Sequence, residues 1–275
     1  MVEKLRPGDP EKKPPLWIRN PAVAHLAAML IDWRIGDGLT EEGHRLLKDI
    51  IVRAMSGKRV SAAIEVPRIF EGAKLEIHID GQEHIPFGPT ILIGNHIDGG
   101  PLRGLGQYFA VVSAGRDARF TVDDDSKRDP FLIAQRGLGK KGLEFLSGAF
   151  YEVVVGDSFG FEIVAIPRHD RNGQILNRQG ISTRALRRLA GGGAAVLYPQ
   201  GRFRDPEDFD FPDKTNKFLT AASHMNESTQ LVPTRSRCDP GGNMRITFGE
   251  PVETGEVLAN GGINYFAEKH LAPLK

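Results

Sequence analysis

The chain of 275 residues is 40% hydrophobic and 26% charged, a composition that provides for both a sizeable core and a solvated surface. A formal net charge of +1 gives no overall electrostatic reason to bind nucleic acid, so no nucleic-acid partner is expected. Cys238 is the only cysteine, which excludes an internal disulfide and a thiolate zinc site, and no metal is expected.

The part of the chain that precedes the predicted sheet is predicted to be helical. Residues 1–15 are polar and rich in proline and are predicted to be a disordered lead-in, not a secretory signal. Residues 16–72 are predicted to form an N-terminal helical hairpin: Asn20 and Pro21 begin one helix, and Thr40 begins the next. The most apolar stretch here falls short of the ~20 residues that span a bilayer, so a cytoplasmic location is expected.

Residues 73–275 are predicted to form an α/β domain, with a mixed, partly parallel sheet flanked by helices. Alternating apolar residues over 75–80 are typical of a half-buried strand, and the continuous apolar run at 90–93 is typical of a strand covered on both faces. Strands and helices are then predicted in alternation: helices at 130–136, 182–190 and 217–224, and strands at 161–166, 194–198, 231–233 and 245–248.

Three polar segments directly follow predicted strands, at residues 95–98, 167–170 and 199–204. In open α/β sheets, ligands bind beyond the carboxyl ends of the strands. We therefore expect these three segments to converge on one crevice.

His96 is the residue best placed for chemistry, because it ends a fully apolar strand and precedes a glycine-rich turn. Imidazole titrates near neutral pH, so it can take a proton from an attacking hydroxyl. A carboxylate would fix its tautomer, and Asp98 is the nearest candidate. A structural His-Asp pair that caps the next segment is the alternative interpretation, and the residues alone leave both open.

Arginines follow the other two strands: Arg168 in the second segment, and Arg202 and Arg204 in the third. The planar guanidinium suits phosphate or carboxylate, and Gly201 would let a backbone amide approach an anion closely. A single arginine is more often a solvated surface residue, but their grouping at strand ends favours an anion site.

The order of these segments resembles the glycerolipid acyltransferase family, which includes glycerol-3-phosphate and lysophosphatidate acyltransferases. Four stretches carry the resemblance between residue 75 and about residue 252: LEIHIDGQEHIPFGPTILIGNH, IVAIPRHDRNG, AAVLYPQGRFR and LVPTR. No one stretch is highly specific, but four in the family's order make a chance match improbable.

The resemblance implies an O-acyltransferase that moves a fatty acyl group from an acyl thioester to a hydroxyl. The donor would be coenzyme A or acyl carrier protein, the acceptor a lysophospholipid, glycerol phosphate or related molecule, and no cofactor would be needed. His96 would be the base and Asp98 its orienting partner. The substrate-binding residues would be Asn95, Arg168, Gln200, Gly201, Arg202 and Arg204.

This sequence departs from the family pattern at two places. Four residues separate histidine from aspartate in the family, whereas Asp98 lies two residues after His96. In the third stretch, Gln200 replaces a glutamate and Phe203 replaces an arginine. Either a sharp turn brings Asp98 into the orienting role, or the pair is broken.

Two other functions are therefore kept as alternatives. One is a catalytically degenerate relative that binds an acyl chain or lipid phosphate, and the other is an unrelated hydrolase in which His96 activates water. The apolar face of the helical hairpin is also compatible with peripheral contact with a membrane, although core packing is its more common use.

Overall fold

A computed structural model describes residues 20–36, 38–58, 60, 62–71, 76–97, 105–119, 130–135, 163–164, 183–200, 209 and 211–274. The predicted lead-in at residues 1–15 lies outside these ranges. The domain boundaries that we place at residues 15 and 72 stay predictions.

Three helices come first in the described chain: α1 (Pro21–Ile35), α2 (Glu41–Met55) and α3 (Ala62–Phe70). Helices α1 and α2 pack against each other, and α3 packs on α2. The third helix is not predicted by the sequence pattern, and it contains Pro67. Proline in a helix interior removes a backbone donor and normally counts against a helix, which is why the pattern does not reveal α3.

Both predicted helix starts have the capping geometry that their residues favour. Asn20 is extended, and its side chain accepts a hydrogen bond from the Ala22 amide at 2.9 Å. Thr40 accepts one from the Gly43 amide at 3.2 Å. These side chains satisfy amides that have no partner inside the helix.

Asn20→Ala is expected to lower the free energy of unfolding by about 1 kcal/mol, because the Ala22 amide loses its cap. Denaturant unfolding checks this, and Asn20→Ser, which keeps an acceptor, should recover most of the loss. Equal stability of the alanine and wild-type proteins would contradict the capping role.

The sheet contains eight strands within the described residues. They are β1 (Ile77–Asp80), β2 (Thr90–Gly94), β3 (Phe131–Gln135), β4 (Ile163–Val164), β5 (Ala194–Leu197), β6 (Gln230–Cys238), β7 (Met244–Phe248) and β8 (Val252–Glu253). Their order is β1-β7-β6-β2-β5-β3-β4, with β8 beside β6. Strand β6 pairs antiparallel with β7 and β8, and the other pairs are parallel. The predicted mixed, partly parallel α/β fold is confirmed.

Helices cover both faces of the sheet. Helix α4 (Leu105–Arg119) joins α1, α2 and α3 on one face, where Leu92, Val196 and Val232 point. Helices α5 (Thr183–Ala190), α6 (Lys214–Met225), α7 (Thr254–Ala259) and α8 (Ile263–Phe266) lie on the other, against Ile91, Ile93 and Ala195. The period-two alternation of a strand divides its apolar residues between the two layers.

Strand β3 corrects one sequence prediction, because residues 130–136 were predicted to be helical. Phe131–Gln135 instead pairs in parallel with β5, and Phe131 is completely buried. A short apolar run has no periodicity that separates a helix from a covered strand, so its pairing partner decides. Helix α4 is a second difference, since the sequence pattern does not predict it.

The large apolar side chains of α1 do not face the core. Ala24 and Ala28 are buried, whereas Leu26, Met29, Leu30 and Trp33 are between 57% and 81% exposed. These four residues recur at the three- and four-residue spacing of one helix face. We call this face the α1 stripe. No helix in the described part of the chain is both long and apolar enough to cross a membrane.

Candidate functional site

His96 lies just past the carboxyl end of β2, the strand between β5 and β6. Both neighbours run parallel to β2, so the carboxyl ends of all three strands meet at one edge of the sheet. Gly94 closes β2 where space is short, because a Cβ there would lie 2.4 Å from the Thr234 carbonyl oxygen. A glycine here therefore lets β2 lie close to β6 directly before the histidine.

The Asn95 side chain hydrogen-bonds to the protein backbone. Its Nδ2 donates to the Ser236 carbonyl at 2.9 Å, and the Ser236 amide donates back to Oδ1 at 2.8 Å. Ser236 belongs to β6, and Asn95 is completely buried. The amide thus joins the segment just beyond β2 to β6. Its predicted contact with substrate stays a prediction.

Gln107, in the first turn of α4, fixes the backbone on both sides of His96. Its Nε2 donates to the Asn95 carbonyl at 2.5 Å and to Ser236 Oγ at 2.8 Å. Its Oε1 accepts from the Ile97 amide at 3.3 Å. Helix α4 and strand β6 are thereby held to the segment at 95–97.

Gln200 brings the third polar segment to the first. It follows β5, and its Oε1 accepts a hydrogen bond from the His96 amide at 2.8 Å. Gln200 is also buried. Two of the three polar strand ends are therefore adjacent, while residues 167–170 lie outside the described residues.

The imidazole of His96 is bonded to a phenol. Its Nε2 lies 2.7 Å from Tyr108 Oη, and the residue is 6% exposed. Either the Tyr108 hydroxyl donates to an unprotonated Nε2, or Nε2–H donates to the phenol oxygen. In either case the Tyr108 oxygen occupies the hydrogen-bonding position of Nε2.

Three aromatic rings pack together at this point. The His96 ring centroid lies 5.0 Å from that of Tyr108 and 5.3 Å from that of Tyr198. The two tyrosine rings meet edge to face at 4.7 Å, a preferred geometry for aromatic pairs. Burial raises the pKa of the Tyr198 phenol well above its ordinary value, so this wall of the site stays neutral.

The structure locates three of the eight site residues predicted from the sequence: Asn95, His96 and Gln200. The others, Asp98, Arg168, Gly201, Arg202 and Arg204, lie outside the described residues, so their roles stay predictions. Sequence reasoning missed Gln107, Tyr108, Tyr198 and Ser236. One signal for the first two was available, because a crossover helix starts near the carboxyl end of the strand before it.

Comparisons with known proteins find a likeness among the solved structures. No protein-family model matches the sequence, and no curated protein matches it significantly. The chain is similar to the crystal structure of the 1-acyl-sn-glycerophosphate (LPA) acyltransferase PlsC from Thermotoga maritima, at 14% sequence identity. The match covers 90% of this chain and 93% of that one, with a TM-score of 0.45.

Proposed function

We propose that this protein is an O-acyltransferase that moves a fatty acyl group from an acyl thioester to a hydroxyl acceptor. The observation that carries the proposal is the position of His96 at the carboxyl end of a central parallel strand, bonded to Gln200 from the third acyltransferase-like segment. The order of the four segments along the chain adds support. The donor is coenzyme A or acyl carrier protein, and no cofactor takes part.

In the proposed reaction, His96 removes the proton from the acceptor hydroxyl as its oxygen attacks the thioester carbonyl. An oxygen–carbon bond forms, the carbon–sulfur bond breaks, and the thiolate takes up the proton. Asp98 orients the histidine, while Arg168, Arg202, Arg204 and the Gly201 backbone bind the acceptor's phosphate or another anion. The acceptor class is a lysophospholipid, glycerol phosphate or related polyol, and the proposed location is cytoplasmic.

Release of free thiol tests the proposal. Purified protein is incubated with acyl-CoA and acyl carrier protein thioesters of several chain lengths, with and without candidate acceptors. We expect thiol release that depends on the acceptor, together with an acylated product detected by mass spectrometry. If release never exceeds that of a sample without protein across the whole panel, the proposed activity is wrong.

One feature of the site favours a second function, the binding of an acyl chain or lipid phosphate without turnover. His96 is buried, and the polar side chains around it already hydrogen-bond to protein groups. Such a network also serves a structural role. A lipid that co-purifies in native mass spectra, with no turnover on any thioester, would favour this alternative.

We also propose that the α1 stripe rests on the surface of a membrane. Single exposed apolar side chains are ordinary on soluble proteins, whereas a contiguous apolar patch marks an interaction site. Trp33 and Met29 of the stripe line a surface cavity together with Asp32, His44 and Lys48. Because Asp32 pairs with both basic side chains, the apolar residues and not the charges carry the proposal.

Flotation with anionic vesicles tests the α1 stripe. The pair of changes Leu30→Ser and Trp33→Ser is expected to lower the partition coefficient at least about tenfold, because each side chain contributes ~1.5–3 kcal/mol when buried. Met225→Ser, which changes an exposed apolar residue on α6, is the control and should float like wild type. Equal recovery of all three proteins would remove the membrane proposal.

A further inference from the structure

Tyr108 occupies the place at His96 that a reacting hydroxyl would need. Its Oη lies 2.7 Å from Nε2, which is the distance of a hydrogen bond between base and substrate. The other ring nitrogen, Nδ1, is buried. Tyr108 itself is only partly buried, whereas His96 is 6% exposed. Of the two side chains, the tyrosine is thus the more exposed.

The packing around Tyr108 holds its ring in place. The ring meets Tyr198 edge to face and also lies against the imidazole. Its neighbour in the chain, Gln107, is bonded to Asn95, Ile97 and Ser236. Swinging the phenol away would break the aromatic contacts, and moving the first turn of α4 would break these hydrogen bonds. Displacement of Tyr108 by a substrate hydroxyl would therefore break the aromatic contacts, the hydrogen bonds of Gln107, or both.

We propose that Tyr108 stays at Nε2 and relays the proton between the acceptor and His96. A phenol can donate one hydrogen bond while it accepts another, which such a relay requires. The acceptor O–H bond breaks as its proton moves to Tyr108 Oη, and the Tyr108 proton moves to His96 Nε2. The acceptor oxygen forms its bond to the acyl carbon, the carbon–sulfur bond breaks, and the proton on the imidazolium returns to the thiolate by the same path.

The inference rests on the proposed acyl transfer and adds a catalytic residue and a docking point for the acceptor hydroxyl. That hydroxyl docks on the Tyr108 oxygen instead of the imidazole. The relay and the displacement of Tyr108 by substrate predict opposite results when the phenol oxygen is removed. If Tyr108 relays the proton, phenylalanine at position 108 lowers the rate. If the substrate has to displace Tyr108, the same change removes a hydroxyl that competes with the substrate for Nε2, and the rate does not fall.

The test compares Tyr108→Phe with Tyr265→Phe, a matched control that removes one phenol oxygen from α8, on the other face of the sheet. We expect Tyr108→Phe to lower kcat by about 10²-fold or more, with little change in KM for the thioester. We expect Tyr265→Phe to stay within about twofold of wild type, since it changes no group beside His96.

A proton inventory separates the relay from a structural effect. In mixtures of light and heavy water, kcat of the wild type should fall along a curve, because two protons move, and that of Tyr108→Phe along a straight line. A straight wild-type line would overturn the relay, as would a Tyr108→Phe rate equal to or above wild type. In both cases acyl transfer itself would stand, provided that His96→Ala is inactive.

A nuclear magnetic resonance measurement needs no turnover. The ¹⁵N resonance of His96 Nε2 should shift in Tyr108→Phe and stay in place in Tyr265→Phe, because only the first change removes its hydrogen bond. An unchanged resonance in Tyr108→Phe would show that the bond is not formed and would overturn the relay. If no variant and no wild type transfers an acyl group, the proposed function and the relay fail together.

Discussion

His96→Ala is expected to lower the rate of acyl transfer by about 10²–10⁴-fold, the usual contribution of a positioned acid–base group. The loss should appear in kcat more than in KM, because the imidazole acts on the proton that moves and not on the acyl chain. Initial rates of thiol release at saturating donor and acceptor give this comparison.

A suitable control for this change is His224→Ala, which removes an exposed imidazole from α6 on the far face of the sheet. Its rate should match that of wild type. Both variants need circular dichroism spectra like that of wild type, since His96 is itself buried. If His96→Ala transfers acyl groups as fast as His224→Ala, His96 is not the base.

Asn95→Ala is expected to lower the free energy of unfolding by about 2–4 kcal/mol, one of the largest stability effects at the site. The change leaves the buried amide and the buried carbonyl of Ser236 without the hydrogen bonds that Asn95 provides. Each such group costs ~1–3 kcal/mol when it is left unsatisfied. Urea unfolding followed by fluorescence measures the difference.

Asn264→Ala serves as the reference for this experiment, because Asn264 is exposed on α8 and should change stability by less than about 0.5 kcal/mol. A loss in Asn95→Ala no greater than in this reference would show that the contact between β6 and the segment after β2 does not depend on the Asn95 amide.

Local sequence signals were reliable where the local chain itself supplies the stabilising group. Asn20 and Thr40 cap α1 and α2 as predicted, because a cap is a bond between residues two or three positions apart. The continuous apolar run at 90–93 is a completely buried strand, since only a sheet covered on both faces accommodates such a run.

Sequence signals failed where a distant partner decides the structure. The apolar run at 131–135 becomes a strand because β5 lies beside it, and not a helix. Similarly, the α1 stripe looks like a core face in the sequence, yet Ala24 and Ala28 pack inward and the larger residues remain exposed. Periodicity identifies a face of a helix but not what covers it.

The position of the Asn95-His96 pair at the carboxyl edge of the sheet could be predicted from the sequence alone, because the pair directly follows a buried parallel strand. The surroundings of the pair were decided only by the tertiary structure. Gln107 and Tyr108 come from a helix that the pattern did not predict, Gln200 lies 104 residues away in the chain, and Ser236 lies 141 residues away. A hydrogen bond depends on position in space, and the packing of the helices on the sheet sets that position.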